Sequence, residues 1–380
     1  MKTKICLLGL LASLVLAFPG CTTPQHGSQG SSCALKCYFP TPPGFLPFNP
    51  FRTNLYTAKE LLKGYDTNAP DSYYSTPDWQ SYVCYQRVRQ MNKDGRPDEI
   101  TARYMRLHEL SVEEALDGWL RVTNQAGRRK VVGIMGGHDM ERKVFATVTN
   151  CNGQVTTSYA PYMQVALLAR ALATNGFTLL TAGGPGAMEA GNLGAWMAGG
   201  SECQLSNAVR MLESVPKSTN SALWLRPAIM VMNQYKNEIC HSNNIGVPTW
   251  FYGFEPPNPF ATHIAKYFEN SLREEHLLAI SQSGIIFAPG SAGTVQEIFQ
   301  SACQNYYTNY TANRYPMVLF GTEYWNRGAC SVVNEKDKPV WPLLNQLGSE
   351  KKFQEQLKIS DDIVAIADFI RTYQVNQIEP

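Results

Sequence analysis

From Arg128 onward, short apolar runs that end in glycine alternate with longer amphipathic stretches, and this alternation constrains the fold more than any other feature. Residues 130–135 (KVVGIM) lead into Gly136-Gly137, residues 177–181 (FTLLT) into Ala-Gly-Gly-Pro-Gly, and residues 284–288 (GIIFA) into Pro-Gly-Ser-Ala-Gly. A run of five or six apolar residues bounded by glycine suits a strand buried on both faces, and amphipathic segments between such strands suit helices that cover a parallel sheet. The expected fold is α/β, a Rossmann-like, doubly wound, mostly parallel sheet with helices on both faces. Residues 228–233 (AIMVMN), 247–252 (VPTWFY) and 316–320 (PMVLF) read as further strands. Residues 162–175, 187–197, 261–280 and 361–373 read as helices.

Before this region, residues 55–123 place apolar side chains three and four apart in four segments, which predicts a small region of about four helices. Ser111 and Glu114 have capping-box spacing and mark one expected helix start. Residues 5–18 are uncharged and apolar behind Lys2 and Lys4, a run too short to span a bilayer comfortably and right for an export signal. Gly20 precedes Cys21 there, the pattern of a lipoprotein leader whose cysteine receives lipid; an ordinary cleaved signal and an uncleaved anchor are the alternatives. The expected organisation is a signal over 1–21, a tether and extended segment over 22–50, a helical region over 51–126 and the α/β domain over 127–380. The protein is expected in the bacterial cell envelope or periplasm, held to the membrane through Cys21 if that residue is modified, and in the cytoplasm if the signal reading fails.

Charge narrows the function classes. Lys and Arg number 33 and Asp and Glu 31, a net charge of +2, which argues against a general nucleic-acid binder. No histidines stand four apart and no CxxC occurs, so no metal is expected. Of the ten cysteines, Cys33 and Cys37 are the most plausible local disulfide, and the scattered remainder read equally well as buried thiols.

The chemistry lies in two glycine turns. Gly183, Gly184, Gly186, Met188 and Glu189 follow one strand into a helix. Gly290, Ser291, Ala292, Gly293 and Thr294 follow another, with Glu297 one turn further on. Glycines let backbone approach a ligand, and the free N–H groups and positive dipole end of a helix N-terminus suit an anion. No lysine is present, so this is not a Walker loop. The bland readings are a tight turn for the first and dipole complementation for Glu297. Glu255 and Asn258 are weaker contact candidates or a rigid Pro-rich turn, and His138, after Gly136-Gly137, reads as an exposed loop residue first and a ligand contact second.

Taken together, P-G-x-x-G-T-x-x-E after a strand and G-G-P-G-x-M-E-A about a hundred residues earlier resemble the LOG (Lonely Guy) family of nucleoside 5′-monophosphate phosphoribohydrolases, often labelled lysine decarboxylases. The resemblance spans residues 128–320. Arg273 is similar in placement to the family's catalytic Arg. Glu274 stands where relatives often carry Lys, and Ser291 replaces a family glycine. The resemblance implies hydrolysis of an N-glycosidic bond to free base and ribose 5-phosphate, with Glu297 and Arg273 catalytic. The residues from Gly290 to Thr294 would hold the phosphate, and Gly136, Gly137, Gly183, Gly184, Gly186, Met188 and Glu189 would line the nucleotide. It implies a nucleoside monophosphate partner, no cofactor and a homodimer; decarboxylation is not expected, because neither turn offers a Schiff-base lysine. The competing expectations are a non-catalytic nucleotide- or phosphate-binding envelope protein and an interaction scaffold.

Overall fold

The computed structural model describes residues 46–122, 127–149, 154–253, 255–308, 314–326 and 336–376. The leader, Cys21, the tether and the Cys33–Cys37 pairing lie outside the described residues. Residues 42–380 belong to one compact unit.

The N-terminal part is helical: α1 (Ala58–Leu61), α2 (Pro77–Lys93) and α3 (Glu99–Leu120). Pro77 occupies the first turn of α2 behind the Thr76 cap, and the Asp98 carboxylate accepts the Thr101 N–H at 3.1 Å to start α3. Ser111 does not begin a helix. It lies in the middle of the 22-residue α3, and its hydroxyl donates to the Pro50 carbonyl at 2.9 Å. Two of the expected helices are therefore one.

A short antiparallel ribbon, β1 (Arg121–Val122) with β2 (Gly127–Arg128), leads to β3 (Val131–Met135). A hairpin of β4 (Phe145–Thr149) and β5 (Val155–Tyr159) follows, then α4 (Pro161–Thr174), β6 (Thr178–Thr181) and α5 (Ala187–Trp196). Next come α6 (Glu202–Leu212), α7 (Ser221–Tyr235), β7 (Asn244–Gly246), β8 (His263–Ile264), α8 (Asn270–Ala279), β9 (Gly284–Phe287) and α9 (Ala292–Tyr307). The described chain closes with β10 (Met317–Leu319), α10 (Thr322–Trp325), α11 (Trp341–Lys351), β11 (Leu357–Ile359) and α12 (Ile363–Asn376).

Seven strands form one parallel sheet in the order β11-β10-β9-β3-β6-β7-β8. The expected parallel α/β architecture is present. Strand alternation sends Val131, Met135, Ile285, Phe287, Met317 and Leu319 into one core, and Val132, Ile134, Ile286 and Val318 into another on the opposite face. The first core is covered by α2, α3, α8 and α9, so the N-terminal helices form part of a layer of the α/β body. The second is covered by α4, α5, α6, α7 and α12.

Two expected strands and one expected helix differ. Residues 228–233 lie inside α7, where Ala228 and Val231 are buried and Met230 is 48% exposed, a helical rather than an alternating pattern. Residues 247–252 make only an isolated bridge, Thr249 with Tyr267. Residues 261–280 are not one helix: β8 pairs with β7, and α8 starts only after Glu269.

Candidate functional site

The chain order of the sheet reverses between β3 and β9. From β3 it steps outward through β6, β7 and β8; from β9 it steps the other way through β10 and β11. The loops leaving β3 and β9 diverge there, and a crevice opens at the carboxyl ends of the strands, where parallel α/β sheets place their ligands.

Backbone hydrogen bonds join the loops around this crevice. The Gly137 N–H donates to the Pro289 carbonyl at 2.9 Å, and the Ala187 N–H to the Gly137 carbonyl at 3.0 Å. Gly186 has φ of 69°, and a Cβ there would strike the backbone of Gly137 and His138. At Gly290 a Cβ would meet the Thr294 side chain and, at 2.8 Å, the Gly137 nitrogen. From behind, the Tyr324 hydroxyl donates to the Gly290 carbonyl at 2.6 Å, and Trp325 Nε1 to the carbonyls of Phe287 and Phe320.

The resulting cavity has a volume of about 290 Å³. One wall is the start of α9. Ser291 makes no side-chain cap, and the first intrahelical bond runs from Val295 N–H to the Ser291 carbonyl, so the amides of Ala292, Gly293 and Thr294 lie ahead of the helical ladder. Arg273 on α8 lines the same cavity. Its side chain is 7% exposed, its Nη2 donates to Asn270 Oδ1, and its Nε is buried without a partner. Glu274 is held by two amides, Asn270 Nδ2 at 2.6 Å and Gln296 Nε2 at 2.8 Å. Glu255, Glu297, Tyr252, His138, Met135 and Met188 complete the lining.

The cavity thus has an anion-favouring wall and three carboxylates. Burial, reinforced by Glu274 and Glu255 and opposed by Arg273, pushes Glu297 up to about 7. Burial also raises Glu255, against the lowering influence of Arg273, Lys266 and His138. A carboxyl held near neutrality can accept or donate a hydrogen bond to a ligand as its protonation changes.

Of the residues singled out in the sequence, Glu297, Arg273, Ser291, Ala292, Gly293, Thr294, Gly136, Gly137, Met188, Glu255 and His138 line this cavity. Gly183, Gly184, Gly186 and Gly290 shape the turns behind it. Glu189 is elsewhere. Fully buried, it takes a bidentate pair from Arg142 at 2.6 and 2.7 Å and a bond from the Tyr162 hydroxyl at 2.8 Å. Asn192 is likewise a core residue, bridging Thr181, Asn244 and Asn258. Asn258 holds the Gly183–Gly184 turn through its N–H and side-chain amide. Sequence reasoning did not single out Tyr252, and it met Glu274 only as a departure from a motif. Pro248 and Gly253, bracketing Tyr252, were the available sign that this segment is a loop rather than a strand. Cys84, Cys203, Cys240 and Cys303 are free thiols, and among the described residues no cluster of metal-ligating side chains occurs.

No protein-family model matches the chain, and no curated protein matches it. Among solved structures it is similar to the Moco carrier protein from Chlamydomonas reinhardtii, with 15% identity and a TM-score of 0.37 over 66% of this chain and 99% of that one. It is also similar to the molybdenum cofactor binding protein from Rippkaea orientalis, with 13% identity and a TM-score of 0.36 over 66% of this chain and 99% of that one. Neither neighbour is a LOG protein and no family model matches, so the assignment to the LOG family is not supported. With it go the hydrolase and N-glycosidase reading and the nucleoside monophosphate as expected partner. The physical reason is that a glycine turn feeding a helix N-terminus specifies an anion, and neither a nucleobase nor a glycosidic bond.

Proposed function

We propose that this protein binds and holds a phosphate-bearing small molecule whose other end offers hydrogen-bond donors. The observation that carries the reading is that the open start of α9 and the Arg273 side chain line one cavity. Three backbone amides, a helix dipole and a guanidinium suit a phosphate monoester. Glu255 and Glu297, further along the same cavity, suit N–H or O–H donors of the ligand. The molybdenum cofactor named for the two solved neighbours has a phosphate and a donor-bearing pterin, so it belongs to this ligand class and is one of the compounds to test.

The test is isothermal titration of the full chain with inorganic phosphate, an organic phosphate monoester and the molybdenum cofactor, with AMP as a comparison. Binding that weakens roughly 10- to 100-fold in Arg273→Gln is expected, the scale of one lost hydrogen bond to a charged group. No binding by any phosphate, or equal binding by Arg273→Gln, overturns the reading.

Export as a lipoprotein is part of the same proposal and is supported by the leader alone. Labelled fatty acid is expected to enter the wild type and not Cys21→Ser, and equal labelling of the two removes it.

A further inference from the structure

The helix that carries Arg273 is weakly anchored by its own sequence. α8 has ten residues, its buried apolar side chains are Leu277 and Leu278, and its N-cap residue Glu269 makes no side-chain cap. The missing restraint comes from the N-terminal helices. Glu109, on α3, is 2% exposed, and its Oε1 accepts the Glu269 N–H at 2.8 Å while its Oε2 is paired with Arg106 at 2.9 Å. The Tyr85 hydroxyl, on α2, donates to Glu269 Oε1 at 3.3 Å. At the far end of α8, His276 bonds Glu113 of α3 at 2.9 Å and the Tyr267 hydroxyl at 3.0 Å. The Arg273 N–H itself closes onto the Glu269 carbonyl at 3.4 Å, so fixing residue 269 fixes the turn from which Arg273 enters the cavity.

Packing alone does not call for a carboxylate at position 109. Burial raises Glu109 above the ordinary carboxylate range, so an apolar side chain would cost less there. An acceptor for an orphan amide at a helix start is what an acid supplies and a hydrocarbon does not.

We infer that Glu109 is a positioning residue for Arg273, and that the N-terminal helical layer thereby sets the strength of the phosphate site. The inference rests on the phosphate-binding reading above. It differs from a generic stabilising role in requiring an acceptor at position 109 rather than bulk.

The experiment uses the full chain with inorganic phosphate as probe, in wild type, Glu109→Gln, Glu109→Ala and Tyr85→Phe. Calorimetry reads affinity, and amide hydrogen exchange reads residues 269–273. Glu109→Ala is expected to weaken phosphate binding roughly tenfold, as for one lost hydrogen bond at a charged site, and to speed exchange at 269–273. Glu109→Gln, which keeps an acceptor oxygen, is expected to stay within about twofold of wild type. Tyr85→Phe leaves the ring packing in place and is expected to fall between the two, which keeps the inference testable if Glu109→Ala does not fold. Wild-type affinity in Glu109→Ala, or equal losses in Gln and Ala, overturns the inference. If wild type binds no phosphate, the functional reading fails on its own. The positioning claim is then judged by exchange: faster exchange confined to 269–273 in Glu109→Ala supports it, and unchanged exchange overturns it.

Discussion

Replacing Glu297 by Gln should stabilise the empty protein in a pH-dependent way. The side chain is 8% exposed and its titration is pushed from the ordinary 4.5 to about 7, first by burial and then by Glu274 and Glu255, with Arg273 opposing. A shift of about 2.5 units corresponds to roughly 3.5 kcal/mol at about 1.4 kcal/mol per unit. The folded-state value lies above the unfolded one. Below pH 4.5 the carboxyl is protonated in both states and costs nothing; the cost grows as the pH rises and is complete above about 7. Gln carries the same shape without the charge. Its advantage over wild type should therefore widen by roughly 2 kcal/mol from about pH 5 to about pH 8. At about 2 °C per kcal/mol for a chain of this size, the difference in Tm grows by roughly 4 °C. Thermal unfolding of both proteins across that range, followed by near-ultraviolet circular dichroism without phosphate, measures it. A Tm difference that stays constant with pH would refute the argument, because it would mean that Glu297 binds its proton equally well in the folded and unfolded states.

Three further outcomes follow from named contacts. Lys266, 1% exposed, gives one bond to Asp78 at 2.6 Å and one to the Glu255 carbonyl at 3.2 Å, so Lys266→Met should cost about 3–5 kcal/mol in urea unfolding by leaving the buried Asp78 carboxylate without its counter-ion, with only the Trp250 Nε1 and Tyr73 hydroxyl bonds left to it, and less if Asp78→Asn is added. Gly293 and Gly290 should separate. A Cβ at Gly293 meets open space, so Gly293→Ala should leave stability equal or up to about 1 kcal/mol better while weakening phosphate binding; Gly290→Ala collides with Gly137 and Thr294 and should lower Tm as well. Glu189→Ala should destabilise by about 3–5 kcal/mol through the stranded Arg142, and leave the phosphate affinity of the folded fraction at its wild-type value.

The strands legible in the sequence were those apolar on both faces. β3, β6, β9 and β10 are all interior strands of the sheet, and every residue in them is buried. Within the seven-stranded sheet, the strands that escaped are two or three residues long and carry polar side chains: Asn244 in β7, His263 in β8, Lys358 in β11. Asn244 is buried, but its place is fixed by Asn192, Thr262 and Phe260, which lie 16 to 52 residues away, and no local window contains that information. In residues 261–280, apolar side chains at helical spacing run through a strand, a bend and a helix. The break at Glu269 is set by Glu109, 160 residues earlier.

The same division runs through the site. The glycine turns were legible because backbone conformation is a local property, and they mark where a ligand can come close. Glu189 sits in the right turn by sequence spacing, yet its carboxylate points into the core, because Arg142 and Tyr162 are there to receive it. What the turns leave unspecified is the chemistry of the ligand beyond its anion. That depends on residues brought in by other parts of the chain: Arg273 from α8, and Tyr252 and Glu255 from the loop that Lys266 and Asp78 brace. A motif shared by many α/β sheets therefore pointed to residues that line one cavity, and overreached on the reaction. Hydrogen bonds from α2 and α3 reach both segments: Asp78 accepts from Lys266 beside Glu255, and Glu109 accepts the Glu269 N–H one turn before Arg273.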